Sequence, residues 1–155
     1  MANSFIYIMN TEIRNRPAYF EYAIEDKLIA GLALAGTEVK SIREGKLSFN
    51  DSYCFFHKGE LWIKSLHIAE YVFGNQNNHV DTRDRKLLLH KKELRKWEIK
   101  MKEKGLTIIP LRIFFTDKNL AKIEIGLGKG KKLHDKRNSI KEREVTRGIK
   151  RRYGI

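Results

Sequence analysis

The chain changes character at Gly128-Lys129-Gly130-Lys131-Lys132-Leu133-His134-Asp135-Lys136-Arg137. Before this stretch, apolar and polar residues alternate as in a small β-rich domain. After it, apolar density collapses and charge takes over. Residues 129–155 carry a net charge of +8, and the 128 residues before them carry +5. A segment so charged and so poor in apolar side chains cannot bury itself. It stays solvated or orders on an anionic partner. A generic solubilising tail has the same composition. Gly128 and Gly130 read as a hinge at the junction. Asp135 interrupts the cations, which points to something more specific than attraction to phosphate.

A chain of 155 residues fits one domain with an appendage, and eight Phe, six Tyr and two Trp suffice for one core. We place the domain at residues 1–131 and the tail at 132–155. The net charge of +13 asks for a polyanion, nucleic acid before an anionic membrane surface. No apolar run approaches the ~20 residues of a membrane span, and the start does not read as a secretory signal. Cys54 is alone, so the fold needs no internal disulfide. A cytoplasmic, reducing location is the default.

Along the chain, Phe5 to Met9 reads as an arm that is at most partly ordered. Asn15-Arg16-Pro17 reads as a turn. Tyr19 to Ile24 suits a strand, Glu25 to Ala30 one or two helical turns, and Leu32 to Arg43 a strand bent near Gly36. Residues 46–51 read as a connection. Tyr53 to Phe56 and Leu61 to Ile68 flank a hairpin turn at His57-Lys58-Gly59-Glu60. Residues 74–84 form the longest loop, of the kind that often binds. Leu87-Leu88-Leu89 fits either a strand or a helix start. Lys91 to Lys104 is a helix, with Leu94, Trp97 and Met101 on one face and Gly105 ending it. Thr107 to Phe115 and Leu120 to Leu127 flank Thr116-Asp117-Lys118-Asn119 as a second hairpin. Ser139-Ile140-Lys141-Glu142 has the form of a capping box, so a tail helix is expected to start there and to form only on a partner. The sum is a mainly β fold: a small antiparallel barrel of the oligonucleotide-binding type, with a few short helices and a basic, conditionally ordered C-terminal tail. Periodicity alone also allows an open sheet packed on the helix.

The sequence holds no P-loop, no Gly-x-Ser-x-Gly and no dinucleotide fingerprint. Its five histidines are dispersed, and none lies at metal-ligand spacing to another or to Cys54. We expect no catalysis, no metal, no cofactor, no membrane partner and no small-molecule substrate. The rival reading is a metal-dependent nuclease gathering Glu38, Asp51, Asp84 and Asp117 in space. Cations interleave with aromatics, as at Arg16, Tyr19 and Tyr22, which suits RNA. Core packing is the expected role of Phe55, Phe56, Trp62 and Phe115. For Tyr22 and Tyr71 the choice between core and RNA stays open. A generic single-strand binder is the second rival.

Several segments, in order, resemble the SsrA-binding protein family, the partners of transfer-messenger RNA in bacterial ribosome rescue. They are Asn15-Arg16, Ala30-Gly31-Leu32-Ala33-Leu34, Gly36 to Arg43, Asp51-Ser52-Tyr53, Arg85-Lys86-Leu87-Leu88-Leu89, and Gly128 to Lys132 with Asp135-Lys136-Arg137. The resemblance implies a barrel with flanking helices that holds the tRNA-like domain of that RNA. It also implies a basic tail that enters the empty mRNA channel near the small-subunit decoding region. Asn15, Arg16, Tyr22, Glu38, Lys40, Arg43, Arg83, Arg85 and Lys86 are carried over as RNA-binding candidates. Lys129, Lys131, Lys132, His134, Asp135, Lys136 and Arg137 are carried over as ribosome contacts. Ile29 stands where the family often has an acid, so no RNA role is assigned to it. Pro17 replaces a usual small or basic residue and stiffens the arm. Residues 151–155 do not map.

Overall fold

The structure is a computed structural model that describes residues 11–74 and 76–153. Among these described residues, nine strands and four helices follow in the order β1 (Glu12–Arg14), α1 (Arg16–Glu21), β2 (Tyr22–Leu32), α2 (Gly36–Arg43), β3 (Leu47–Ser48), β4 (Tyr53–His57), β5 (Glu60–Lys64), β6 (His67–Ile68), β7 (Arg85–Leu88), α3 (Lys91–Lys104), β8 (Thr107–Phe115), β9 (Ala121–Gly130) and α4 (Leu133–Tyr153). Seven strands form one antiparallel sheet in the order β1-β8-β4-β5-β7-β2-β9, and β9 also pairs with β8. The pairings therefore run in a closed cycle of six strands, with β1 added on β8. β3 and β6 form a separate two-stranded ladder. The mainly β, antiparallel expectation holds.

Both expected hairpins are present, β4–β5 and β8–β9. Leu87 lies in a strand, since β7 pairs with β5 and β2. α3 buries Leu94 and Trp97, with Met101 packed beside them. It stops at Gly105, whose φ of 61° is the left-handed conformation that glycine adopts without strain. The core gathers Leu61, Ile63, Leu87, Ile108, Ile113, Ile123 and Ile125 from the sheet, Ile42 from α2, and Trp97 from α3.

Four expectations fail, each for a local reason. Residues 16–21 are helix, not turn and strand: Pro17 sits in the first turn, where its missing N–H costs nothing. Residues 25–30 are strand, not helix. Ile24, Asp26, Leu28 and Ala30 alternate with more exposed neighbours, and β9 supplies partners along the whole length, so pairing overrides the helix propensity of Glu25-Asp26-Lys27. Residues 36–43 are helix, not a bent strand. Glu38, Ser41 and Ile42 are its buried face at i, i+3 and i+4, and the Ala35 N–H donates to Glu38 Oε1 at 2.8 Å to cap its start. The tail helix begins at Leu133, so Ser139 lies inside it and its capping box starts nothing. The arm expected over Phe5 to Met9 falls outside the described residues.

The junction is also firmer than a hinge. Gly128 and Gly130 are the end of β9, opposite Ile24 and Tyr22. A Cβ on Gly128 would lie 2.5 Å from the Ala23 carbonyl oxygen. Glycine is needed there because two backbones approach closely beside the β2 bulge between Ile24 and Asp26.

Candidate nucleic-acid interface

The RNA-binding candidates fall into three groups. The first surrounds α2. Glu38 and Arg85 are both fully buried, 0% exposed. Glu38 accepts hydrogen bonds from Arg85 Nε and Arg83 Nη2, and from Arg83 Nε at 3.1 Å to each oxygen. Arg85 donates onward to the carbonyls of Leu66, Val80 and Asp81. Burial by itself raises the Glu38 pKa, but the bonds from Arg83, Ala35 and Arg85 outweigh it and hold the carboxyl below its ordinary value. Desolvation lowers the Arg85 pKa, and Glu38 opposes that shift. These two residues present no surface to a partner. This corrects the expectation that they touch RNA: the cluster instead ties the loop before β7 to α2. Lys40 is exposed, and Arg43 and Arg83 are half-buried. Lys40 Nζ stands 5.3 Å from the Tyr71 ring centroid, and the Arg43 guanidinium 4.7 Å from that of Phe115.

The second group lies around α1. Asn15 is half-buried, donating from Nδ2 to the Pro110 carbonyl at 2.8 Å and from its backbone N–H to Leu111. It positions the entry to α1, whose first residue, Arg16, is exposed. Tyr22 is half-buried at the start of β2 and lines a polar groove with Asn15, Asp51, Ser52 and Tyr53. The third group is Lys86, on the outer face of β7. It lies opposite Trp62, which itself lies opposite Phe55, and Glu60 pairs with its ammonium at 3.6 Å. Phe55 and Trp62 are half-buried on the face opposite Cys54, Leu61 and Ile63, so the expected core role fails for them; it holds for buried Phe115 and for Phe56, packed against the core.

Sequence reasoning missed one patch. Ile29 and Leu88 are 51% and 53% exposed and share a groove with His90, Glu93 and Lys122. The signal was the break in alternation: Ile29 is an apolar residue at an outward position of β2. Gly31 faces Leu88, whose Cβ would be 3.1 Å from a Cβ added there, so a side chain at that position would press on Leu88 at the floor of the groove.

The tail candidates begin in the sheet and end in a helix. Lys129 pairs across to Ala23, and the Lys131 N–H donates to the Glu21 carbonyl at 2.8 Å. Lys131 Nζ donates to Ser139 Oγ at 2.8 Å. Lys132, His134 and Arg137 are exposed and Lys136 is half-buried; Asp135 falls within the first turns of α4. α4 lies against α1, where the Arg143 guanidinium stands 5.2 Å from the Phe20 centroid. Ile140 and Val145 remain exposed. Among the described residues, no group of three or more His, Cys, Asp or Glu could hold a metal ion, and no helix is long and apolar enough to cross a membrane.

Comparison with known proteins decides the family. The family model described as SmpB protein matches residues 12–154. The chain belongs to the SmpB family. The SsrA-binding protein of Bacteroides thetaiotaomicron is 51% identical over 144 residues, covering 93% of this chain and 96% of that relative. The SsrA-binding protein of Geotalea uraniireducens is 50% identical over 135 residues, covering 87% and 89%. A solved SmpB-family structure, from "tmRNA-SmpB: a journey to the center of the bacterial ribosome", superposes with a TM-score of 0.69 at 44% identity, covering 84% of this chain and 94% of that one. The SmpB resemblance read from the separate motifs is therefore correct across almost the whole chain.

Proposed function

We propose that this chain binds the tRNA-like domain of transfer-messenger RNA and delivers it to stalled ribosomes for trans-translation. The observation that carries this reading is the 51% identity to an SsrA-binding protein over 93% of the chain. The solved relative, described with transfer-messenger RNA at the ribosome, supports it. In this reading residues 1–131 are the RNA-binding body and 132–155 a separate basic tail. Asn15, Arg16, Tyr22, Lys40, Arg43, Arg83 and Lys86 meet the RNA, while buried Glu38 and Arg85 hold the surface that does so. Lys129, Lys131, Lys132, His134, Asp135, Lys136 and Arg137 serve the decoding region, the tail occupying the empty mRNA channel. Where α4 meets α1, the Arg143 guanidinium covers the Phe20 ring and no residue of α4 belongs to the core cluster, so the tail can leave for phosphates without exposing that core. The chain acts in the cytoplasm as a binder rather than a catalyst.

A competition experiment with Mg²⁺ present tests this. The full chain should hold transfer-messenger RNA intact, and an unstructured oligonucleotide of equal length should compete poorly. Equal competition would make it a generic single-strand binder, and cleavage would make it a nuclease.

A further inference from the structure

The loop between β6 and β7 carries a strongly exposed aromatic ring. Phe73 is 77% exposed, and Val72 and Val80 in the same loop are 69% and 66% exposed. A loop can expose a ring without consequence, but the backbone that carries this one is tied by hydrogen bonds. The Asn78 side chain clamps Tyr71 from both sides: its Oδ1 accepts from the Tyr71 N–H at 3.2 Å, and its Nδ2 donates to the Tyr71 carbonyl at 2.8 Å. The Gly74 N–H donates to that same carbonyl at 2.8 Å, closing the turn. A Cβ on Gly74 would lie 2.6 Å from Asn78 Nδ2, so glycine is what lets the clamp close. The next residue, His79, is anchored in the body between Thr37 Oγ1 at 2.8 Å and the Ile68 carbonyl at 2.9 Å. The Arg85 guanidinium then fixes the Val80 and Asp81 carbonyls. The result is an edge-to-face pair, Tyr71 and Phe73, with centroids 5.7 Å apart and planes at 67°. The ring of Phe73 stands outward.

Lys40 completes the arrangement. Its ammonium lies over Tyr71, and among the described residues it makes no ion pair. An outward ring beside a cation that makes no ion pair among the described residues suits one ligand chemistry: an unpaired base stacking on the ring while its phosphate meets the ammonium. A protein partner would need an interface of about 800 Å² per side, far more than one ring and two valines present.

We propose that Tyr71, Phe73 and Lys40 form a stacking hook for one unpaired nucleobase of the tRNA-like RNA. This rests on the RNA-binding reading above and joins Lys40, and Tyr71, whose role the sequence left open between core and RNA, to Phe73, which the sequence did not single out. The test uses the full chain and the isolated tRNA-like RNA, with wild type, Phe73→Ala, Phe73→Leu and Phe73→Trp compared by equilibrium binding. Phe73 packs on no core, so all three variants should melt as wild type does. Loss of one base stack predicts affinity weakened roughly 5- to 100-fold in Phe73→Ala. Phe73→Leu should lose nearly as much, because it keeps apolar area but not the π face, and Phe73→Trp should restore binding. Asn78→Ala should weaken binding without changing the salt dependence, as expected of a residue that only positions the ring. A photo-crosslinking amino acid at position 73 should mark one unpaired nucleotide. Affinity within twofold of wild type in Phe73→Ala, or a cross-link only to base-paired nucleotides or to none, overturns the hook while leaving the RNA-binding reading intact. Failure of the wild-type chain to bind the RNA overturns both.

Discussion

Arg85 and Lys86 are neighbours in sequence and opposites in role. β7 alternates, so Arg85 points into the core beside Glu38 and Lys86 points out. Replacing Arg85 by Ala leaves a buried carboxylate with Arg83 as its one remaining cation beside the Ala35 N–H. We expect a loss of about 3 kcal/mol in denaturant unfolding, with the salt slope of RNA binding unchanged. Lys86→Ala should do the reverse: unchanged stability, and a log–log salt slope flatter by about 0.7 to 0.9, one phosphate contact. Equal behaviour of the two variants would refute the assignment. Glu38 adds a pH dependence. Its folded pKa lies below its ordinary value, so its stabilisation is fully present above the unfolded pKa of about 4.3 and is lost as pH falls through the folded value. Glu38→Gln should be less stable than wild type at pH 7, and its stability should fall less steeply between about pH 5 and pH 3. Parallel acid-unfolding curves would place the titrating group elsewhere.

Elements were legible where one local rule dominated. The hairpins at Lys58-Gly59 and Asp117-Lys118, and the α3 stripe Leu94, Trp97, Met101, carried both their period and their turn residues. α2 was misread because alternating parity and the i, i+4 spacing of Glu38 and Ile42 coincide over eight residues, and the β-branched Thr37 and Val39 favoured strand. Only a partner's position could settle it, as the β9 pairing settled β2. The burial of Glu38 and Arg85 was illegible for the same reason: charge type says nothing of which face of an element a side chain occupies. Gly128 shows the limit for glycine, where flexibility and close packing look alike in sequence. Gly128→Ala must push Cβ against the Ala23 carbonyl, so we expect it to destabilise the chain by about 1–3 kcal/mol in thermal or denaturant unfolding. A hinge would tolerate alanine with no loss.

At the scale of the whole molecule, a closed cycle of paired strands carries the candidate RNA surface, and a charged helix leaves from its last strand. α4 is held by few contacts, and its composition works against it. Arg143 and Arg147 are like charges at i, i+4, and Gly148 costs about 1 kcal/mol relative to Ala. A peptide of residues 132–155 should therefore show little helix by circular dichroism in dilute buffer, and a strongly helical spectrum would contradict this. Deleting residues 132–155 should leave affinity for transfer-messenger RNA within about threefold, since one or two lost phosphate contacts shift it little at moderate salt. The same deletion should abolish peptide tagging on stalled ribosomes. Parallel loss of both activities would end the two-part account. The central claim, that this chain's partner is transfer-messenger RNA, is tested most directly by sequencing the RNA that co-purifies with the full chain from its own cells. The account predicts intact transfer-messenger RNA as the dominant enriched species. Enrichment no greater than that of bulk tRNA and ribosomal fragments would contradict it.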